Sequence, residues 1–246
     1  MKKLVVIITI LILFIPKVNA STSSASSYIL MDSTTGRVLM SKDMHSKRLI
    51  ASITKIMTAT LAIESGKLND VVEVSPIIKE AYGSGIYIEV GEEITLKDLV
   101  YGLMLRSGND AAMMISEYIG GTTEEFVNMM NKKAKELGMK ETTFYNPSGL
   151  PTPSGNYSSV YDMAILTKYA MNSPIYQEIV KTKTYKVTTN KKTYLWHNKN
   201  KLLKYDYITG GKTGYTEESG RTLVSTANID NMPLIVVTIR DSDDWN

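Results

Sequence analysis

Ser52-Ile53-Thr54-Lys55, Ser107-Gly108-Asn109 and Lys212-Thr213-Gly214 follow one another in that order along this chain of 246 residues. A lone Ser-x-x-Lys is weak evidence, because about one match is expected by chance in a chain of this length. Each of the two triplets is rarer by about an order of magnitude. The ordered set, with Asp where Gly108 stands here, is typical of a serine acyl-transfer site.

The first stretch can supply a nucleophile and its base. A serine hydroxyl needs a base within hydrogen-bond reach, and Lys55 stands one helical turn beyond Ser52 on the same face. Apolar residues at helical spacing predict that the pair lies in the first turn of a helix ending near Gly66. Lysine acts as a base only when neutral, so burial and a second cation must lower its pKa. Lys212 is the candidate cation.

The first 20 residues are typical of a secretory signal peptide, with Lys2 and Lys3, an apolar run and a small-residue cleavage site at Val18-Asn19-Ala20. The alternative is a membrane anchor, but the apolar run of about a dozen residues is too short to span a bilayer of roughly 30 Å. We therefore expect an exported, extracytoplasmic protein whose mature domain covers residues 21–246.

Composition argues against several other classes of protein. The 28 basic and 25 acidic residues include Lys2, Lys3 and Lys17 of the signal peptide, so the mature chain is near neutral and no nucleic-acid partner is expected. The chain has no cysteine and only two histidines, His45 and His197. These are too few of the usual nitrogen and sulfur ligands for a zinc site, and we expect neither a metal nor a cofactor.

Strand patterns occur at both ends of the chain and helix patterns lie between them. The predicted N-terminal hairpin has strands 28–32 and 37–41, and five β-rich runs follow at 185–188, 193–197, 210–215, 221–228 and 233–240. Helices are predicted after Thr95, from Ala111 to Ile119 and from Thr123 to Gly138. Residues 71–90 read as irregular structure. The pattern predicts an antiparallel sheet built from both ends of the chain, with an inserted helical lobe.

Over nearly all of residues 28–245 the chain resembles the low-molecular-weight penicillin-binding proteins, specifically serine-type D-alanyl-D-alanine carboxypeptidases. Besides the three motifs, the resemblance rests on five stretches: Leu49-Ile50-Ala51 before Ser52, Gly91-Glu92-Glu93-Ile94-Thr95, Asn109-Asp110-Ala111-Ala112, Asn146-Pro147-Ser148-Gly149-Leu150-Pro151 and Tyr157-Ser158-Ser159-Val160-Tyr161-Asp162-Met163-Ala164. It implies a two-lobed α/β fold of the β-lactamase/transpeptidase type. The sheet lobe would cover about 28–70 and 172–246, and the helical lobe about 71–171.

The resemblance also implies an activity and residue roles. Such an enzyme removes the terminal D-alanine from peptidoglycan stem pentapeptides through an acyl-serine, and β-lactams acylate it. Ser52 would attack the carbonyl and Lys55 would accept its proton. Ser107 would pass a proton to the leaving amine, and Asn109 would orient Lys55 and the substrate amide. The backbone N–H groups of Ser52 and Tyr215 would form the oxyanion hole.

The third motif is expected to bind the substrate. Lys212 and Thr213 would hold the terminal carboxylate, a role that suits a cation beside a hydroxyl donor. Gly214 has no side chain, so an extended substrate could lie against the strand edge.

Two alternatives remain at this stage. A class A β-lactamase has similar motifs but deacylates with a glutamate, and no Glu-x-x-Leu-Asn segment lies between Tyr145 and Lys183. A non-catalytic penicillin-binding sensor of the same fold is the second, since fold does not fix function. Such a sensor is expected to lack the nucleophile or one of the motif lysines, but Ser52, Lys55 and Lys212 are all present in this chain.

The end of the sequence carries one further expectation. Asp241-Ser242-Asp243-Asp244 has the chemistry of a helix N-cap, but only Trp245 and Asn246 follow it. Relatives place a helix here and continue into a small β domain and an amphipathic membrane-surface helix. We therefore expect a sequence truncated at the C-terminus, in which contact with a membrane surface would require the missing segment. The alternative is a naturally minimal enzyme whose N-terminal segment covers the exposed face of the sheet.

Overall fold

The computed structural model describes residues 23–242. The predicted signal peptide and the last four residues lie outside this range. The strands are β1 Ser27–Asp32, β2 Val38–Lys42, β3 Arg48–Leu49, β4 Val71–Glu73, β5 Glu93–Thr95, β6 Tyr157–Ser158, β7 Thr184–Thr188, β8 Thr193–His197, β9 Ile208–Thr216, β10 Gly220–Ile229 and β11 Met232–Asp241. The α-helices are α1 Lys55–Glu64, α2 Leu96–Arg106, α3 Asn109–Gly120, α4 Thr123–Glu136, α5 Val160–Ala170 and α6 Pro174–Lys181.

The main sheet joins the two ends of the chain, as the sequence predicts. It is antiparallel with the strand order β2-β1-β11-β10-β9, and β1 pairs with β11 so that Ile29 lies opposite Val237. The alternating apolar residues of β1 and β11 put one face of each strand into the core, where α5 covers them. Strand β9, which carries the third motif, forms one edge of this sheet.

Strands β7 and β8 do not enter the main sheet, and on this point the sequence-based prediction was wrong. They form a separate hairpin that packs against α2. The Tyr185 ring of β7 stacks on Tyr101 of α2 at a centroid distance of 3.7 Å, and its hydroxyl donates to Asp98 at 2.6 Å. The stacked aromatic pair and the buried Trp196 of β8 give the hairpin its own apolar support. Residues 71–90 also differ from the prediction, because β4 pairs with β5.

The helices begin and end where local chemistry predicts. The Thr95 hydroxyl accepts a hydrogen bond from the backbone N–H of Asp98 at 3.1 Å and so caps α2. Gly138 adopts a positive φ of 74° just past α4. Helix α1 is central, since residues 55–62 are all buried. Within residues 23–242, the helices are too short or too polar to cross a bilayer.

A short 3-10 turn, Ala51–Thr54, precedes α1 and carries the predicted nucleophile. Strands β9 and β10 hold it in place. The Thr222 hydroxyl of β10 donates to the Ile50 carbonyl at 3.1 Å, and Ala51 takes a positive φ of 46°. Gly149 lies directly against this turn, because a Cβ atom there would come within 1.9 Å of the Ala51 carbonyl oxygen. The conformation of the turn therefore depends on a glycine nearly a hundred residues away.

We predict that Gly149→Ala displaces the 3-10 turn. The new methyl group overlaps the Ala51 backbone, and φ at Gly149 is 87°. The expected loss is at least about 3 kcal/mol of unfolding free energy, together with slower acylation by penicillin. Denaturant melts and labelling with fluorescent penicillin measure both.

Gly138→Ala is the matched control. Gly138 also has a positive φ, but a Cβ there would meet nothing within 4 Å. It should cost only about 1 kcal/mol and leave labelling intact. Equal losses in the two variants would show that Gly149 does not support the turn.

Candidate active site

Ser52 and Lys55 lie side by side, as the sequence predicts, although Ser52 belongs to the 3-10 turn and Lys55 is the first residue of α1. The Lys55 Nζ atom is 3.0 Å from the Ser52 Oγ atom. Lys55 is fully buried, whereas Ser52 is partly exposed to the adjoining cleft. The pair therefore presents a hydroxyl to solvent and keeps the amine in the protein interior.

Two further oxygens surround the amine of Lys55. It donates to Asn109 Oδ1 at 2.7 Å and to the backbone carbonyl of Ser148 at 2.5 Å. The Asn109 Nδ2 atom donates to the Tyr82 carbonyl at 2.6 Å, which fixes Oδ1 toward the lysine. Both oxygens can only accept, so they use two N–H bonds of a neutral amine. The remaining lone pair is then free for the Ser52 hydroxyl.

Ser107 and Lys212 form a second buried pair. Ser107 lies between α2 and α3 in the left-handed conformation, with φ 63°. The Lys212 Nζ atom donates to Ser107 Oγ at 3.1 Å and to the Thr213 carbonyl at 2.6 Å. The polar turn expected from Ser107-Gly108-Asn109 thus bridges the lysines of the first and third motifs, through Asn109 and Ser107 respectively.

Gly214 is needed for packing inside the protein. A Cβ atom at this position would lie 2.4 Å from Thr222 Oγ1 and 2.8 Å from the Ser52 backbone nitrogen. Strand β9 is therefore pressed against the nucleophile turn, and this contact alone requires glycine. The expected benefit to an extended substrate stays a prediction, as does the oxyanion role of the Ser52 and Tyr215 N–H groups.

Burial and mutual repulsion shift the pKa values of the motif lysines. The pKa of Lys55 is held well below its usual value, first by burial and then by the charges of Lys212 and Lys199. Burial, with a contribution from Lys199, lowers the pKa of Lys212 to about 7. The expectation that Lys212 depresses the pKa of Lys55 is thus supported, and burial is the larger cause.

The motifs meet in one open cleft of about 340 Å³. Its lining residues are Ser52, Ser84, Ser107, Lys199, Thr213, Gly214, Tyr215 and Arg221. Residues 23–242 contain no group of three or more His, Cys, Asp or Glu side chains that could hold a metal ion.

Sequence reasoning missed three residues of this site. Ser148 supplies a backbone carbonyl to Lys55, and Lys199 adds a third cation beside Lys55 and Lys212. The third residue is Asp110. Its carboxylate is buried and accepts hydrogen bonds from the backbone N–H groups of Ile86 and Tyr87, which fixes the loop that carries Ser84. The only sequence signal for Ser148 and Asp110 was their presence in stretches that carry the resemblance.

The model of the peptidase S11 family, D-alanyl-D-alanine carboxypeptidase, matches residues 16–243. The chain belongs to this family. The D-alanyl-D-alanine carboxypeptidase DacF of Bacillus subtilis (strain 168) is 44% identical over 224 residues, which are 87% of this chain and 56% of the relative. DacC of Escherichia coli (strain K12) is 34% identical over 238 residues, 90% of this chain and 58% of the relative. The chain thus spans a little over half the length of these curated relatives.

Solved structures agree with the family assignment. A D-alanyl-D-alanine carboxypeptidase from Mycobacterium tuberculosis H37Rv superposes with a TM-score of 0.88 at 28% identity, covering 94% of this chain and 88% of that one. A mutant of the Streptomyces K15 DD-transpeptidase gives a TM-score of 0.87 at 29% identity, covering 91% and 93%. The S11 domain therefore has the expected two-lobed β-lactamase/transpeptidase-like fold. The exact boundaries of its two lobes stay a prediction.

We predict that Lys199→Met moves the acid limb of acylation to higher pH. Lys199 lowers the pKa of both Lys55 and Lys212, so its removal raises both values. At a given pH a larger fraction of Lys55 is then protonated and unable to act as a base. The measurement is the second-order rate of acylation by fluorescent penicillin from about pH 5 to about pH 10.

Lys204→Met serves as the control, because Lys204 is exposed and lies over the Tyr205 ring outside the cleft. Its profile should match that of the unmodified protein. A Lys199→Met profile that also stays unchanged would mean that the charge of Lys199 does not reach the lysine pair.

Proposed function

We propose that this S11 protein is a serine DD-carboxypeptidase that removes the terminal D-alanine from peptidoglycan stem pentapeptides through an acyl-enzyme. The observation that carries the proposal is the buried Lys55 amine, which two acceptor oxygens orient toward Ser52 Oγ at 3.0 Å. A pair of this kind, open to a cleft on its hydroxyl side, is suited to nucleophilic attack on a carbonyl.

Acylation follows from this geometry. Ser52 Oγ forms a bond to the carbonyl carbon between the two D-alanines while its proton passes to Lys55 Nζ. The C–N bond then breaks, and the leaving amine takes a proton. Ser107 is the candidate donor, because its hydroxyl accepts from Lys212 at 3.1 Å and can relay a proton. Water hydrolyses the resulting ester and regenerates Ser52.

Lys212 and Thr213 are proposed to recognise the terminal carboxylate. A pKa of about 7 for Lys212 means that a substantial fraction is neutral at neutral pH before substrate binds. A bound carboxylate favours the charged form and raises that pKa. Binding of a substrate with a free carboxylate would thereby favour protonation of Lys212, whereas a peptide with an amidated C-terminus would not have this effect.

Strand β9 offers the remaining recognition surface. It is an edge of the main sheet, so an extended peptide can add to it by backbone pairing. The N–H groups of Ser52 and Tyr215 are the proposed oxyanion hole, and each such donor contributes roughly 3 kcal/mol in comparable sites. The penicillin-binding role follows from the same chemistry, since a β-lactam presents a strained amide and a carboxylate to the same groups.

The family supports action on peptidoglycan in the extracytoplasmic space. Export by the N-terminal signal is a further proposal, and residues 1–22 and 243–246 lie outside the described structure. A β-lactamase would instead release hydrolysed penicillin rapidly, and a sensor would be acylated without releasing D-alanine.

The direct test uses Ser52→Ala and Lys55→Ala. Ser52→Ala should abolish both D-alanine release from a diacetyl-lysyl-D-Ala-D-Ala peptide and covalent labelling by fluorescent penicillin. Lys55→Ala should slow acylation by at least about three orders of magnitude, because nucleophile and base act as a unit. Free D-alanine and labelled protein are measured on the same samples.

Ser33→Ala, in the turn between β1 and β2, is the control and should behave like the unmodified protein. Stoichiometric labelling of Ser52→Ala would disprove the nucleophile. Labelling of the unmodified protein without any release of D-alanine would favour the sensor, and rapid turnover of penicillin would favour the β-lactamase.

A further inference from the structure

Two adjoining cavities lie next to the turn that joins β9 to β10, and the chemistry above does not use them. One has a volume of about 370 Å³ and the other about 210 Å³. They share Leu49, Tyr157 and Glu218 as walls. Leu49 lies three residues before Ser52, and Glu218 lies three residues after Tyr215, so each cavity has walls close along the chain to residues of the cleft.

The direction of the substrate puts these cavities on its acyl side. If the terminal carboxylate lies at Lys212, a peptide pairing antiparallel with β9 extends its N-terminal part past Tyr215. It then approaches the turn that joins β9 to β10 and carries Glu218. Each extended residue advances about 3.3 Å. The third residue of the stem, which directly precedes the acylated D-alanine, therefore has its side chain within reach of this turn.

The larger cavity has mixed walls. Polar groups of Thr152, Ser154 and Glu218 line part of it. An aliphatic chain would fit the other part, which is lined by Leu49, Pro151, Tyr145 and Tyr157. Both tyrosines are substantially exposed, at 51% and 37%, so apolar surface remains for a ligand to cover. An unbranched methylene chain lying across these groups would bury apolar area on both sides.

Opposite charges line the smaller cavity. Glu218 provides a carboxylate, while Lys47, Arg48 and Arg240 provide cations. Two of these cations are already engaged, because Lys47 Nζ donates to Thr143 at 3.1 Å and Arg48 Nε donates to Ser27 at 2.7 Å. The Arg240 side chain packs with its Cγ atom close to Gly220.

Glu218 and Arg240 are left facing one cavity without a mutual ion pair. Among residues 23–242, neither side chain has a salt bridge or a side-chain hydrogen bond. Both side chains are exposed. A ligand group that carries an ammonium and a carboxylate on one carbon would satisfy both charges together, whereas a simple amine would satisfy only Glu218.

We propose that the two cavities bind the side chain of the third stem residue and select a diamino dicarboxylic acid, such as diaminopimelate, over lysine. This inference rests on the proposed carboxypeptidase function. The methylene chain lies against Leu49 and the two tyrosines, the terminal ammonium pairs with Glu218, and the terminal carboxylate pairs with Arg240. A guanidinium suits this last contact because it binds a carboxylate through two parallel hydrogen bonds.

The test compares four peptides that end in D-Ala-D-Ala and differ only in the third residue. The residue is diaminopimelate, diaminopimelate with its side-chain carboxyl amidated, lysine, or Nε-acetyl-lysine. The kcat/KM for D-alanine release is expected to fall at least about ten-fold from the first to the second, because a charged hydrogen-bonded pair is lost. Lysine should in turn exceed acetyl-lysine.

Two variants separate the two charge contacts. Arg240→Gln should remove the preference for diaminopimelate over its amidated form, and Glu218→Gln should remove the preference for lysine over acetyl-lysine. Glu217→Gln is the matched control, since Glu217 is the exposed neighbour of Glu218 and does not line either cavity. It should keep both preferences. Stoichiometric penicillin labelling of each variant reports an intact nucleophile.

The outcomes distinguish this inference from the proposed function. Equal kcat/KM values on all four peptides, from an enzyme that releases D-alanine, would overturn the subsite and leave the carboxypeptidase assignment standing. Preferences that persist in Arg240→Gln and Glu218→Gln would also overturn it. Failure to release D-alanine from any peptide, together with absent penicillin labelling, would instead overturn the proposed function.

Discussion

The burial of one lysine is the constraint on which this structure depends. Lys55 lies in the interior at the start of α1, where an ammonium is costly unless every N–H is satisfied. Its three neighbours come from the adjacent turn, from the first residue of α3 and from the segment around Ser148. The native packing of these segments around Lys55 therefore also creates the environment in which Lys55 can act as a base.

Glycines let the backbones of distant segments reach this lysine. Gly214 allows β9 to touch the Ser52 backbone, and Gly149 allows the Ser148 segment to touch Ala51. Strand β9 also carries the second cation, Lys212, so the contact at Gly214 brings Lys212 close to the nucleophile turn. Charge repulsion and burial then act together to lower the pKa of Lys55, so the chemistry of the site is a product of its packing.

The sequence predicted those parts of the fold and site that depend on residue type and local spacing. The cap at Thr95, the strand pattern of β9 to β11 and the three motifs are of this kind. It did not predict the carbonyl of Ser148, because any residue offers a backbone carbonyl. It also missed the separation of β7 and β8 from the main sheet, since alternation defines a strand but not its partner. Lys199 stands alone in a loop and carries no spacing signal.

The measurement that tests this account most directly is the titration of Lys55 itself. Lysine labelled with ¹³C and ¹⁵N lets NMR follow each side-chain amine against pH, and the spectrum of Lys55→Ala assigns the signal. The account predicts that Lys55 loses its proton well below the usual lysine pKa of about 10.4. A Lys55 signal that titrates together with the exposed lysines would contradict a neutral base and the mechanism built on it.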